Sequence, residues 1–142
     1  MSNPIEIIEH NGLQLAYLIR SDWMPEKTTF ITPNYLGQQV GMIVYGAGKS
    51  IIPHVHLPIV RQVQGTTECI LVRKGYCRID FYDQQKNYIE SRDLYTGDVV
   101  LLINGGHGFL MKEDTVLLEV KQGPYSSDKD KEQFSAKVEL AT

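Results

Sequence analysis

The sequence predicts an all-β protein of the sandwich, jelly-roll or barrel class. Apolar and polar residues alternate with a period of two along most of the chain, and helical periodicity is nearly absent. Glycine, proline, asparagine and aspartate interrupt these runs about every 8 to 12 residues, the spacing expected of many short strands. The chain has 142 residues, enough for one domain with its own core. We therefore expect a single domain over residues 1–142, with its core at about 38–123 and a charged tail at 124–142.

Each strand is predicted from an alternating or β-branched run that stops at a turn signal. Two hairpins are predicted, one closed at Lys74-Gly75, where glycine supplies a positive φ, and one closed at Lys112–Asp114. Residues 50–57 are expected to be extended but irregular, because Pro53 and Pro58 disfavour a central strand. In chain order, the predicted strands are Leu13–Arg20, Thr28–Thr32, Gln39–Tyr45, Glu68–Arg73, Tyr76–Tyr82, Tyr88–Leu94, Val99–Ile103, Phe109–Met111 and Thr115–Lys121.

Composition and charge argue against several classes of function. The net charge is −3 and the 14 lysines and arginines are scattered, so no basic stripe is available to follow a nucleic-acid backbone. No apolar stretch approaches the roughly 20 residues that span a bilayer, and no signal-peptide pattern is visible. Cys69 and Cys77 are expected to be free thiols in a reducing compartment. We expect a cytoplasmic protein that binds neither nucleic acid nor membranes.

Three of the four histidines and one glutamate form a pattern typical of a metal site. His54 and His56 are two residues apart, so on a strand both imidazoles point to the same face. Taken alone, this pair would favour two surface histidines on an edge strand beside prolines. Glu68 begins an apolar run, where a carboxylate is costly to bury unless a positive group pairs with it. His107 follows a glycine turn, and imidazole and carboxylate together suit a divalent transition metal.

These residues also stand in the order of the two motifs of the cupin superfamily, which together would cover residues 48–107. The second motif begins at Gly97-Asp98 and runs to His107, although Ile103 and Met111 stand where the family has proline and asparagine. The chain thus resembles a small single-domain cupin with an enlarged first motif, since eleven residues separate His56 from Glu68. The first motif comprises Gly48, His54, His56, Glu68 and Gly75.

The resemblance implies a double-stranded β-helix, or jelly-roll barrel, that holds one divalent metal ion. Fe, Mn, Ni, Co, Cu and Zn all suit the ligands that it implies. The resemblance also implies a small-molecule ligand and a homodimer. The implied ligands are His54, His56, Glu68 and His107.

The first functional hypothesis is a metal-dependent enzyme, of the cupin oxygenase or isomerase type, that acts on a small carbohydrate-derived or carboxylate-bearing molecule. Arg61, in the insertion 57–67, and Lys121, on the last strand, are the candidate substrate-binding residues. Alternatively, Arg61 is a solvated loop cation and Lys121 forms an exposed pair with Glu119. Two other functions remain open: a non-catalytic binding or sensing module, and a metal-free sugar-nucleotide isomerase or epimerase with a histidine as general base.

Overall fold

The computed structural model describes residues 3–126 and 130–136, which fall into two compact units. The first unit contains the described residues up to Trp23 and from Thr66 onward, and the second unit is Met24–Gly65. The described residues form strands and no helix, which confirms the all-β prediction. In particular, they include no helix of the length and apolarity that a membrane crossing requires. The single domain over residues 1–142 stays a prediction, and parts of the predicted tail lie outside the described residues.

The described residues form ten strands, of which β3 and β4 belong to the second unit and the others to the first. They are short, as the closely spaced turn signals predict. In chain order they are β1 (Ile5–His10), β2 (Leu13–Ile19), β3 (Thr29–Phe30), β4 (Gly41–Met42), β5 (Glu68–Lys74), β6 (Tyr76–Tyr82), β7 (Tyr88–Tyr95), β8 (Val99–Leu102), β9 (Gly106–Met111) and β10 (Val116–Lys121).

The strands form three antiparallel sheets and, within the part of the chain that the structure describes, no closed barrel. A five-stranded sheet of the first unit has the order β1-β2-β8-β5-β10, and a three-stranded sheet of the same unit has the order β7-β6-β9. Strands β3 and β4 pair with each other in the second unit. The general prediction of antiparallel sheets is confirmed, and the finer jelly-roll arrangement stays a prediction.

The core of the first unit is built from alternate residues of both of its sheets. In the five-stranded sheet, Ile70 of β5 lies opposite Val100 of β8, which lies opposite Leu18 of β2, and all three are buried. In the three-stranded sheet, Ile79 and Phe81 of β6 belong to the same apolar cluster. Each such side chain contributes about 1.5–3 kcal/mol by leaving water. In β5 the period of two therefore reports which residues face inward, whereas β2 and β8 contain consecutive buried residues.

Both predicted hairpins are wrong, because the chain at each of these turns leaves one sheet and enters the other. Strand β5 pairs with β8 and β10, whereas β6 pairs with β7 and β9. Gly75, at the first crossing, has the predicted positive φ, at +100°, and a Cβ there would lie 2.5 Å from the carbonyl oxygen of Asp114. Alternation identifies the face of a strand but not its sheet, so the turn signal alone does not distinguish a hairpin from a crossing.

The second unit has little regular structure. Its strands β3 and β4 share two residue pairs, so the predicted strands over 28–32 and 39–45 are both too long. Residues 50–57 are outside any strand, in line with the two prolines there. Every residue from 43 to 65 is exposed, so this part of the chain lacks the burial that stabilises a strand.

A charged network joins β1, the residue after β2, β7 and the loop before β8. The carboxylate of Glu6 accepts hydrogen bonds from Arg20 Nε at 2.6 Å and from Arg92 Nε at 2.9 Å. Arg20 also donates to Asp98 at 3.0 Å through Nη1. Burial raises the pKa of Glu6, but the hydrogen bonds and charges of the two guanidinium groups outweigh it, and the net effect is a lowered pKa. The structure therefore favours the charged form of Glu6.

The contribution of Glu6 to stability should disappear in acid. Because its pKa is lowered in the folded state, the stabilisation is present above the unfolded-state value of about 4.3 and is lost as the pH falls through the lower folded-state value. At pH 7 we expect Glu6→Gln to lower the free energy of unfolding by about 1–3 kcal/mol, as for hydrogen bonds to a charged group. Urea unfolding of parent and variant at several pH values measures this difference. A difference that stays constant from pH 7 into acid would contradict the assignment.

Candidate functional site

Glu68 and His107, two of the predicted metal ligands, are in contact. Glu68 begins β5 in the five-stranded sheet, and His107 lies on β9 in the three-stranded sheet. His107 Nε2 lies 3.2 Å from Glu68 Oε2, and the side chains are 31% and 18% exposed. Glu68 is in phase with Ile70 and Val72, which are buried in the core, so its carboxylate lies on the inner face of its sheet. The two sheets together therefore position a half-buried carboxylate–imidazole pair.

The surroundings of Glu68 favour its charged form. The hydrogen bond from His107 has the largest influence on the pKa of Glu68 and lowers it, whereas burial acts in the opposite direction. The charge of His107, a hydrogen bond with Glu119 and the charge of Lys121 lower the pKa further. Lys121 lies directly opposite Glu68 in the pairing of β10 with β5, and its Nζ is 3.7 Å from Glu119 Oε2. Glu68 is therefore a carboxylate at neutral pH, as a metal ligand has to be.

His54 and His56 form a second pair, within the second unit. Their ring centroids are 5.2 Å apart and the rings are inclined at 68°. His54 Nδ1 lies 2.9 Å from the carbonyl oxygen of Ile52. Because a carbonyl oxygen only accepts, Nδ1 carries the proton of the neutral ring, and Nε2 keeps the lone pair that a metal would need. Both histidines are exposed.

The four predicted ligands thus occur as two pairs, one in each unit. Over residues 3–126 and 130–136, the structure contains no group of three or more histidine, cysteine, aspartate or glutamate side chains arranged to hold a metal ion. The pairing of Glu68 with His107 and of His54 with His56 is observed, and the four-ligand site stays a prediction.

The two predicted substrate-binding residues have different surroundings. Arg61 is exposed in an irregular segment of the second unit. Lys121 is half-buried. It pairs with Glu119, and its backbone lies opposite Glu68 in the pairing of β10 with β5. Cys69 and Cys77 are both free, as expected, and burial raises the pKa of each thiol. Neither cysteine is placed as a reactive thiolate.

A cavity that the sequence did not indicate lies in the first unit, between the β1–β2 turn and the loop after β6. Its volume is about 220 Å³. Two backbone amides hold the Asp83 carboxylate, because the N–H groups of Gln85 and Asn87 each donate to it at 2.9 Å. The cavity is smaller than the roughly 300–1,000 Å³ of typical ligand pockets. It is lined by His10, Asn11, Leu13, Leu15, Asp83, Gln84 and Gln85.

Two side-chain pairs, Glu68–His107 and His54–His56, supply the chemical groups of the candidate site. A carboxylate and three imidazoles suit a divalent transition metal, and the contact between Glu68 and His107 also suits proton transfer. Searches for similar proteins found no match to this chain among family models, curated proteins or solved structures.

Proposed function

We propose that this chain is a metal-binding protein of the cupin type, with one divalent transition metal on His54, His56, Glu68 and His107. The observation that carries the proposal is the contact between Glu68 and His107. These residues are far apart in the sequence and belong to different sheets, yet the fold brings their polar atoms within hydrogen-bond distance. The finer fold proposed with it is a jelly roll, of which the five-stranded and three-stranded sheets would be the two layers.

Two features of the described residues support metal binding. Glu68 is held in its anionic form, and the hydrogen bond to Ile52 leaves Nε2 of His54 available as a ligand. Metal-binding histidines usually donate their other ring N–H to a carbonyl or carboxylate in this way. A bound metal would act as a Lewis acid on a substrate oxygen. Lys121, beside Glu68, would attract an anionic group of the substrate, and Arg61 is a second candidate for this role.

The proposed reaction is a transformation of a small polar molecule that bears a carboxylate or derives from a carbohydrate. The half-buried position of the Glu68–His107 pair supports this, because a partly desolvated site strengthens electrostatic interactions with a polar substrate. The proposal covers the oxygenase and isomerase types alike, since the ligand set suits both.

One observation favours a second candidate function, a metal-free acid–base isomerase or epimerase. The Glu68–His107 contact is by itself a carboxylate–imidazole dyad, in which the carboxylate orients the ring. In that case His107 would move the substrate proton, and His54 and His56 would have no direct part. Metal content separates the two candidates.

The test is metal analysis of the protein after reconstitution with single divalent metals. We expect about one equivalent of one transition metal in the parent protein and close to none in a His54→Ala/His56→Ala variant. His10→Ala is the matched control, because His10 is the one histidine outside the predicted ligand set and lies in the first unit. Equal metal content in the parent and the double variant would contradict the proposed ligands. A parent that takes up no metal would favour the acid–base function.

A further inference from the structure

Strand β9 begins at Gly106, directly before His107, and this glycine is covered by an aromatic ring from the C-terminal segment 130–136. A Cβ at Gly106 would lie only 2.9 Å from Cζ of Phe134, well inside the roughly 3.5–4.0 Å that two carbon atoms prefer. The same Cβ would lie 3.4 Å from Cβ of Tyr82, which is paired with Gly106 on β6. The Phe134 ring therefore occupies the space that a larger residue at Gly106 would fill.

Phe134 is the anchor of the segment 130–136 on the first unit. Its ring packs edge to face on that of Tyr82, with the centroids 4.9 Å apart and the planes inclined at 85°. Phe134 is half-buried, whereas the other residues of 130–136 are exposed. The segment also contacts β6–β7 through Glu132, whose carboxylate lies 2.8 Å from Lys86 Nζ, but both side chains are exposed and such a pair contributes little.

The backbone under Phe134 leads directly into the Glu68–His107 contact. Successive side chains of a strand point to opposite faces, so Gly106 turns one face of β9 toward Phe134 while His107 lies on the inner face. His107 Nε2 is 3.2 Å from Glu68 Oε2, the long end of the roughly 2.7–3.2 Å range for such a hydrogen bond. A movement of a few tenths of an ångström at the start of β9 is therefore enough to break the contact.

We propose that Phe134 is a positioning residue for His107. Its ring holds the first residue of β9 against Tyr82 and so keeps the imidazole within reach of Glu68. This role rests on the proposed function, in which His107 is a metal ligand. It assigns to the site a residue of the C-terminal segment that has no metal-binding group of its own.

Metal affinity of the full chain, measured by titration against a chelator, is the first test. We expect Phe134→Ala to weaken metal binding about tenfold, as for other residues that orient metal ligands. Phe134→Leu should stay close to the parent, because leucine again fills the space over Gly106. Glu132→Gln is the matched control, since it removes the ion pair of the same segment and should bind metal as the parent does. Parent affinity in Phe134→Ala would overturn the proposal.

Gly106→Ala tests the same contact from the other side. The added methyl group displaces the Phe134 ring, so this variant should also weaken metal binding. Without that ring the methyl group has room, because the next neighbour, Tyr82 Cβ, is at an ordinary contact distance. The double variant Gly106→Ala/Phe134→Ala should therefore bind metal no more weakly than Phe134→Ala alone. If the two losses multiply in the double variant, the residues act independently and the contact does not position His107.

Nitrogen chemical shifts of the histidine rings, measured by NMR on metal-free protein, separate the role of Phe134 from the metal site itself. They report the hydrogen bond between His107 and Glu68. Phe134→Ala should move the shifts of His107 toward those of a solvated imidazole and leave those of His54 unchanged. If this movement occurs and the parent takes up no metal, the metal site is wrong and the positioning role stands. Unchanged His107 shifts in Phe134→Ala would overturn the positioning role, whatever the parent binds.

Discussion

Glu68→Gln should weaken metal binding at least about 100-fold, because even residues that only orient metal ligands are worth 10–100-fold in affinity and Glu68 is a proposed ligand itself. Glutamine has the shape of glutamate and keeps an oxygen near His107, so the change removes the negative charge with little change in packing. The measurement is competitive titration of the metal against a chelator of known affinity. The result matters because Glu68 belongs to the first unit and His54 and His56 to the second.

The control for this variant is Glu113→Gln, which removes a carboxylate from an exposed position in the segment between β9 and β10. It should bind metal as the parent does. If Glu68→Gln keeps the parent affinity while His54→Ala/His56→Ala loses the metal, the ion is held in the second unit without Glu68. If Glu68→Gln and His54→Ala/His56→Ala each lose the one equivalent of bound metal, Glu68, His54 and His56 all contribute to the same metal site.

The largest expected loss of stability follows from Asp98→Ala. The Asp98 side chain is 3% exposed and accepts hydrogen bonds from the backbone N–H of Ser21 and of Tyr95, each at 2.9 Å, and from Arg20 at 3.0 Å. Alanine would leave the backbone N–H groups of Ser21 and Tyr95 without this acceptor, whereas Arg20 would keep its bonds to Glu6 and to the carbonyl oxygen of Asp93. We expect the free energy of unfolding to fall by about 2–5 kcal/mol, because each buried donor left without an acceptor costs about 1–3 kcal/mol.

Denaturant unfolding of the Asp98→Ala variant measures this loss. Asp114→Ala is the matched control, because the same change at an exposed aspartate should alter the free energy by less than about 0.5 kcal/mol. Similar values for the two variants would show that the network around Asp98 contributes little to stability.

The sequence predicts most strands of the first unit but not how they are connected. Strands β2, β5, β6, β7 and β8 lie close to their predicted bounds, because each has a clear alternation that ends at a glycine or polar turn. Strand β1 was not predicted, although Asn11-Gly12, with φ of 51° and 77°, carries the usual signal of a tight hairpin. The assignment of strands to sheets depends on long-range pairing, which local patterns do not report.

In the candidate site, too, the sequence predicts local features but not the contacts that depend on long-range pairing. The phase of Glu68 and of His107 on their strands indicates that both face inward, and the structure brings them together. The position of Lys121 opposite Glu68 depends on the register of β10 against β5, which the sequence does not reveal. The role of Asp98 was also missed, because two of its three donors, Arg20 and Ser21, are distant from it in the sequence.

The strand order of the five-stranded sheet has a consequence for the order in which the protein folds. Strand β8 lies between β2 and β5, and β10 lies beside β5, so each of these pairings joins segments that are distant in the sequence. In the first unit, hairpins β1–β2 and β6–β7 are the pairings that local contacts alone can form early. Pairing distant segments first costs the entropy of closing a large loop, and folding is slower because of this cost. During synthesis, β2 therefore keeps one edge unpaired, and β5 keeps both edges unpaired, until β8 emerges and joins them.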